Sequence, residues 1–146
     1  MIIAVSGATG SIGKELVPYL ETLNHLVLRV SSSIQSDGKK NFSYSDLTNN
    51  NITFQVDLFI HLATMNNSID EGCIDREVKL ASEILFSLPN IGCKKLIFFS
   101  TSKVYGDNSF LQNIFNENSQ LILHVLMEQL RSYAKNLFVQ MLLRLI

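Results

Sequence analysis

Cysteine, proline and tryptophan are scarce in this chain, and neither sign of charge dominates. Two cysteines, Cys73 and Cys93, are too few for a disulfide framework, which favours a reducing, cytoplasmic location. The formal net charge is -1 and no run of basic residues occurs, so neither nucleic acid nor an anionic membrane surface is an expected partner. Because no apolar stretch approaches the ~18 residues of a membrane helix, a membrane partner is not predicted either.

Hydrophobic residues are plentiful, at 47% of 146 residues. Short apolar runs rich in β-branched residues alternate with longer stretches in which apolar residues recur at helical spacing. Parallel strands need crossover connections, so this alternation predicts an α/β fold, a doubly wound parallel sheet with helices on both faces. The length fits a single domain, which we assign to residues 1–146.

The apolar pattern places the individual elements along the chain. Strands are predicted at residues 2–5, 26–30, 58–63, 96–99 and 138–146, with a short further strand within 42–47 that leads to Asp46. Helices are predicted at residues 11–23, 69–88 and 121–137. Pro18 lies inside the first helix, where it removes a backbone hydrogen bond and favours a kink. The serine-rich residues 31–40, with Asp37-Gly38, predict a surface loop.

A glycine-rich turn, Ser6-Gly7-Ala8-Thr9-Gly10-Ser11-Ile12-Gly13, joins the first predicted strand to the first helix. The first glycine allows a tight turn, the second lets backbone N–H groups approach a pyrophosphate, and the third lets helix and strand pack closely. The helix N-terminus adds free N–H donors for the phosphates. The turn therefore predicts a Rossmann-type domain that binds NAD or NADP. A glycine-containing loop with no ligand is the alternative. Contacts to the cofactor are expected from Gly7, Thr9, Gly10, Ser11, Ile12 and Gly13.

The spacing Gly-x-x-Gly-x-x-Gly resembles that of the extended short-chain dehydrogenases/reductases, the NAD-dependent sugar epimerases and dehydratases. Further segments resemble this family in the same order: Asp46-Leu47, the run Asp57-Leu58-Phe59-Ile60-His61-Leu62-Ala63-Thr64, and the run from Lys94 to Gly106 with Ser100-Thr101-Ser102-Lys103-Val104-Tyr105-Gly106. The resemblance covers nearly the whole chain. It implies hydride-transfer chemistry on a nucleotide-linked sugar and a homodimer that pairs through the helices at 69–88 and 121–137.

The same resemblance implies roles for single residues. Asp46 and Leu47 would contact the adenine ring, and Thr101 would hydrogen-bond the reacting oxygen of the substrate. Strand ends would line the cofactor through Leu62, Ala63, Thr64 and Ser100. The alternatives are that Asp46 is an ordinary turn aspartate, that His61 is a satisfied core histidine, and that Thr101 is a strand-end hydroxyl bonded to backbone. No metal-ligating residues are predicted.

The choice between NAD and NADP stays open in the sequence. An acidic residue ~20 positions past the glycines would favour NAD by binding the ribose hydroxyls. The second strand ends instead in Arg29-Val30-Ser31-Ser32-Ser33. A 2′-phosphate could be accepted by Ser31 and its neighbouring serines, together with Arg29. If Arg29 points toward the core, it cannot make this contact.

The family's acid/base pair, Tyr-x-x-x-Lys on one helical face, is not found among the four tyrosines of the sequence. In the family the tyrosine moves the proton, and the lysine lowers its pKa and holds the ribose. Counting back from Glu128-Gln129-Leu130 places Gln120 at the tyrosine position and His124 at the lysine position. Glutamine cannot act as an acid or base near neutral pH. His124 could contact a ribose or have no function.

Three functions follow as hypotheses. The first is a sugar-nucleotide epimerase, dehydratase or reductase in which Thr101 orients the substrate. The second is a catalytically silent NAD(P)-binding module or degenerate fragment, favoured by the residues at 120 and 124. The third is a non-catalytic partner of an active homologue. The chain stops within the apolar run 142–146, and we expect that the substrate-binding part of the family is missing.

Overall fold

The computed structural model describes residues 1–63 and 73–99, and within these residues five parallel strands form one sheet. The sheet belongs to a unit made of Met1–Thr64 and Glu83–Phe99. A second unit comprises Met65–Ser82 and Ser100–Ile146. Because the described residues end at Phe99, the elements predicted at 121–137 and 138–146 lie outside them.

The order of the strands in the sheet is β3-β2-β1-β4-β5, and every neighbouring pair is parallel. The strands are β1 (Ile2–Ser6), β2 (Leu26–Val30), β3 (Asn41–Phe42), β4 (Leu58–His61) and β5 (Leu96–Phe98). The helices are α1 (Ser11–Thr22), α2 (Tyr44–Thr48) and α3 (Cys73–Ser87). The chain moves outward from β1 in one direction and then returns to place β4 on its other side. This reversal confirms the predicted doubly wound, Rossmann-type sheet.

Both faces of the central strands are buried. On one face, α1 packs through Leu16, Val17 and Leu20 against a cluster of strand residues. That cluster consists of Ile3 and Val5 of β1, Val27 of β2 and Ile60 of β4, joined by Ala8. The alternate positions Ala4, Leu28 and Phe59 point to the opposite face and are 0% exposed. Burial on both sides explains why these strands appear in the sequence as mainly apolar runs, with Arg29 the exception within β2.

Helix α1 ends within one residue of its predicted bound and continues through Pro18. Pro18 is exposed, and it lacks the N–H that would donate to the Lys14 carbonyl one turn earlier. Leu23 forms the C-cap, and Asn24 then adopts a left-handed conformation with φ of 60°. Asparagine tolerates this region better than most residues, which suits it to the turn into β2.

The prediction of a strand within residues 42–47 is wrong over most of its length. β3 ends at Phe42, and Tyr44 begins the short helix α2. Ser43 is the N-cap, its side chain accepts from the Asp46 N–H, and the Asp46 carboxylate accepts from the Ser43 N–H at 2.7 Å. This reciprocal capping box stabilises a helical start and overrides the apolar character of the segment. Asp46 therefore lies on a helix and not at the end of a strand.

The loop predicted at residues 31–40 is confirmed, and Asp37 organises its second half. Its Oδ1 atom accepts the backbone N–H groups of Lys39, Lys40 and Asn41 at 2.8, 2.9 and 2.9 Å. These donors, that of Asn41 first, hold the pKa of the Asp37 carboxyl well below its usual range. Gly38 has φ of +66°, which lets the chain reverse within this turn.

None of the helices in the described part of the chain has both the length and the apolar character of a membrane span.

Candidate functional site

The glycine-rich turn leaves β1 through a backbone conformation that only glycine adopts easily. Gly7 has φ of +73°, its N–H donates to the Val30 carbonyl at 3.0 Å, and its carbonyl accepts the Gly10 N–H at 3.0 Å. A Cβ atom at Gly7 would lie 2.7 Å from the backbone nitrogen of Ala63. The left-handed backbone and the close approach of the chain after β4 both require glycine here.

Gly13 and Gly10 differ sharply in the space around them. A Cβ atom at Gly13 would lie 2.4 Å from the carbonyl oxygen of Gly7 and 2.7 Å from Cα of Ala8, so the first turn of α1 sits directly on the glycine turn. At Gly10 a Cβ atom would meet only the Gly7 oxygen, at 3.2 Å, and Gly10 is exposed. Packing therefore requires glycine at positions 7 and 13, whereas at position 10 a side chain makes one tight contact, which a shift of a few tenths of an ångström would relieve.

The N-terminus of α1 is open. Gly10 is the N-cap and supplies no side-chain acceptor, and the first turn carries no acidic residue. Within the part of the chain that the structure describes, the N–H groups of Ser11, Ile12 and Gly13 have no hydrogen-bond acceptor, and the first intrahelical bond runs from Lys14 to Gly10 at 3.0 Å. Ile12 is 54% exposed although it is apolar. Free donors and the positive end of the helix dipole make this terminus suitable for an anion such as a pyrophosphate.

Three hydroxyl groups form a triangle beside this turn, which we call the hydroxyl cluster. Oγ1 of Thr9 lies 2.9 Å from Oγ of Ser31 and 3.1 Å from Oγ of Ser33, and the two serine oxygens are 3.1 Å apart. Ser31 directly follows β2 and is 4% exposed, whereas Thr9 and Ser33 are exposed. The sequence predicts Thr9 and Ser31 as separate contacts. Their joint arrangement with Ser33 comes from the structure, and the run of three serines after the second strand is its only sequence signal.

His61 lies at the end of β4, beside the last residue of β1. The Ser6 hydroxyl and Nδ1 of His61 share a buried hydrogen bond of 2.6 Å, and the imidazole stacks on Phe98 with ring centroids 5.3 Å apart. Burial lowers the pKa of His61 from 6.5 to about 4, so the ring is neutral at neutral pH. The pair links the central strands at the edge from which the glycine turn starts, and Leu62 continues this link through its N–H bond to the Ser6 carbonyl at 3.1 Å.

The carboxylate of Asp46 is occupied by protein donors. It accepts hydrogen bonds from the Ser36 hydroxyl, from the Ser43 hydroxyl at 2.6 Å and from the side-chain amide of Asn51 at 3.3 Å. These partners, Ser36 first, hold the pKa of the Asp46 carboxyl well below its usual range. Leu47 is 1% exposed. The adenine contact expected of Asp46 and Leu47 stays a prediction, and the structure gives both residues a role in holding α2.

The guanidinium of Arg29 is paired with a carboxylate on α1. Its Nη2 atom donates to both carboxylate oxygens of Glu21 on α1, at 2.9 and 3.0 Å. Lys40 approaches the same carboxylate at 3.5 Å. The guanidinium is therefore engaged along the side of α1, and the part of the sequence argument that rests on Arg29 has no support in the structure.

The predicted contacts from β4 fall partly within the described residues. Leu62 and Ala63 are half-buried beside Gly7. The glycine turn follows β1, Ser31 follows β2, and Leu62 follows β4, so all three meet at the carboxyl edge of the sheet where its order reverses. Ligands of doubly wound sheets bind at this edge. The predicted site residues Thr64, Ser100, Thr101, Gln120 and His124 lie outside the described residues.

Solved structures with the same fold include several sugar-nucleotide enzymes. A UDP-glucose-4-epimerase from Stenotrophomonas maltophila, with bound NAD and formylated UDP-arabinopyranose, is 20% identical with a TM-score of 0.78 over 96% of this chain and 48% of that chain. A dTDP-glucose 4,6-dehydratase from Bacillus anthracis in complex with NAD is 18% identical with a TM-score of 0.75 over 97% and 50%. A short-chain dehydrogenase/reductase superfamily protein from Agrobacterium tumefaciens with bound NAD is 18% identical with a TM-score of 0.76 over 94% and 44%.

The chain thus spans about half the length of these structures. No curated protein sequence matches it. The sequence profile described as the NAD dependent epimerase/dehydratase family matches residues 3–144, nearly the whole chain and every segment on which the resemblance depends. The chain therefore belongs to the NAD dependent epimerase/dehydratase family.

Proposed function

We propose that this chain binds a nicotinamide dinucleotide, NAD or NADP, with the pyrophosphate over the turn from Gly7 to Gly13. The observation that carries the proposal is Gly10. It is exposed, its φ of -73° and ψ of 174° suit any residue, and a Cβ atom there would meet a single backbone oxygen. Since the backbone conformation does not require glycine and packing adds only this one tight contact, we attribute the glycine mainly to close approach of a ligand to the free N–H groups of Ser11 and Ile12.

Calorimetric titration of the purified chain with NAD and with NADP tests this assignment. A Gly10→Leu variant is expected to fold, because the position is exposed and its Cβ atom meets only one oxygen, at 3.2 Å. It is expected to lose at least about tenfold in affinity, because the side chain covers the N–H donors. A Glu15→Leu variant is the matched control, since it adds the same side chain at an exposed position further along α1. Unchanged affinity in a folded Gly10→Leu variant would refute the pyrophosphate assignment.

We propose further that the chemistry of this lineage is hydride transfer on a nucleotide-linked sugar, with Thr101 orienting the substrate. Support comes from the family and from solved structures with this fold, including two of the protein MoeE5 that hold NAD with UDP-glucose or with UDP-glucuronic acid. A bound nicotinamide would accept and return the hydride. Incubation with the dinucleotide and UDP-glucose or dTDP-glucose, followed by nicotinamide absorbance and product chromatography, tests turnover directly.

A catalytically silent NAD(P)-binding module is the second candidate, and a particular observation favours it. The sequence contains no Tyr-x-x-x-Lys, and counting back from Glu128 puts Gln120 and His124 where we expect the pair. Glutamine cannot deprotonate a sugar hydroxyl, and a neutral imidazole is a weaker ribose anchor than a lysine. Dinucleotide binding without turnover of any sugar nucleotide, in a protein shown to be folded, selects this candidate. Turnover that survives Gln120→Ala and His124→Ala would leave the first candidate and place the proton transfer on another group.

A further inference from the structure

The hydroxyl cluster of Thr9, Ser31 and Ser33 lies where a dinucleotide would place its adenosine ribose. In a doubly wound sheet the residue that contacts this ribose follows the strand next to the glycine turn, and an acid there binds the 2′-hydroxyl of NAD. In this chain that strand is β2, and Ser31 follows it directly. A carboxylate at this point would repel a 2′-phosphate, whereas a hydroxyl would not.

The carboxylates in this part of the sequence have partners within the protein, and Asp57 lies at the opposite edge of the sheet, before β4 and beside Ile2 at the start of β1. The chain between Glu21 and Asp57 holds four of them. Glu21 is paired with Arg29 and Lys40. The other three, Asp37, Asp46 and Asp57, accept hydrogen bonds from backbone N–H groups, and Asp57 does so from Ile2 at 2.7 Å. Within this segment no carboxylate takes part in the hydroxyl cluster.

The cluster itself offers donors of the kind that a phosphate accepts. Each hydroxyl carries one hydrogen, and each can rotate from its neighbour toward a phosphate oxygen without leaving a buried charge. Only Ser31 is buried, so the outward hydroxyls of Thr9 and Ser33 can reorganise freely. Thr9 also precedes the N-cap of α1, where the helix dipole favours negative charge.

From this arrangement, and resting on the proposed cofactor binding, we infer that the site does not reject a 2′-phosphate. The chain binds NADP as tightly as NAD to within about tenfold, or more tightly. The hydroxyl cluster is the specificity-determining element, and it acts through the absence of a carboxylate rather than through a dedicated cation, because Arg29 is held by Glu21.

Parallel titrations of the full chain with NAD and NADP at one salt concentration measure the ratio of the two dissociation constants. A Ser33→Asp variant then supplies the missing carboxylate at an exposed position, so folding is expected to be retained. This variant should weaken the binding of NADP by at least about tenfold relative to that of NAD. Gln35→Glu is the matched control, because it adds the same charge to the same loop outside the hydroxyl cluster and should leave the ratio unchanged.

The outcomes separate this inference from the proposal on which it rests. Binding of neither dinucleotide overturns both. Binding of NAD with NADP weaker by more than about tenfold overturns this inference alone and leaves the pyrophosphate assignment standing. A Ser33→Asp variant that binds both dinucleotides with an unchanged ratio shows that the cluster does not meet the ribose, and it also overturns the inference.

Discussion

Replacing Gly13 with alanine adds one methyl group where the backbone leaves no space for it. Its Cβ atom would lie 2.4 Å from the Gly7 oxygen and 2.7 Å from Cα of Ala8. Carbon atoms in contact are about 3.5–4.0 Å apart, so α1 and the glycine turn would have to separate by roughly 1 Å. Overpacking costs about 1–3 kcal/mol, and a clash between two backbone segments belongs at the upper end of that range.

The free energy of unfolding is thus expected to fall by about 3 kcal/mol in Gly13→Ala. Since 1 kcal/mol moves the melting temperature of a domain of this size by about 2–4 °C, the melting temperature should drop by about 6–12 °C. Gly10→Ala is the matched control, because its Cβ meets only one oxygen at 3.2 Å, and a loss of about 1 kcal/mol or less is expected there. Urea denaturation followed by circular dichroism measures the free energy of unfolding of both variants, and thermal denaturation measures their melting temperatures. Equal midpoints for the two variants would refute the packing argument.

Three further predictions concern other parts of the unit. The free energy of unfolding should fall by about 3 kcal/mol as the pH is lowered from 6.5 toward 4, because burial lowers the pKa of folded His61 to about 4 and the unfolded chain takes the proton first. In His61→Gln the urea midpoint should depend less steeply on pH between 6.5 and 4. A pH dependence equal to that of the unmodified protein would contradict the attribution to His61. Ser43→Ala removes the N-cap of α2 and should cost about 1 kcal/mol in thermal melts, with an unchanged melting temperature as the contrary result. Arg29→Met should leave the affinity for NADP unchanged in calorimetry, since its guanidinium pairs with Glu21, and a loss confined to NADP would show otherwise.

Much of the sheet was accessible from the sequence, because its central strands are buried on both faces. Continuous apolar runs mark β1, β2, β4 and β5, and Gly7 marks the turn that follows β1. The strand expected around Asp46 was wrong for a reason that the sequence also contains. Ser43 and Asp46 stand at the spacing of a capping box, and this local hydrogen bonding outweighs the strand preference of Phe42 and Tyr44.

The finer features of the site depend on which side chains meet, and spacing alone does not determine that. The sequence allowed Arg29 to face either a phosphate or the core, and the structure pairs it with Glu21. For His61 the sequence offered the interpretation of a satisfied core histidine, and the buried hydrogen bond to Ser6 and the stacking on Phe98 agree with it. The different spatial demands at Gly10 and Gly13 follow from the distance between α1 and the turn, which no periodicity encodes.

The loop after β2 is held in shape before any ligand arrives. Asp37 accepts hydrogen bonds from three successive backbone N–H groups, and the Ser36 hydroxyl donates to the Asp46 carboxylate at the start of α2. A segment fixed in this way has little conformational entropy left to lose when a nucleotide docks beside it. Association at this end of the site should therefore require little rearrangement of the loop, and the binding energy of the adenosine half should appear as affinity instead of being consumed in ordering the chain.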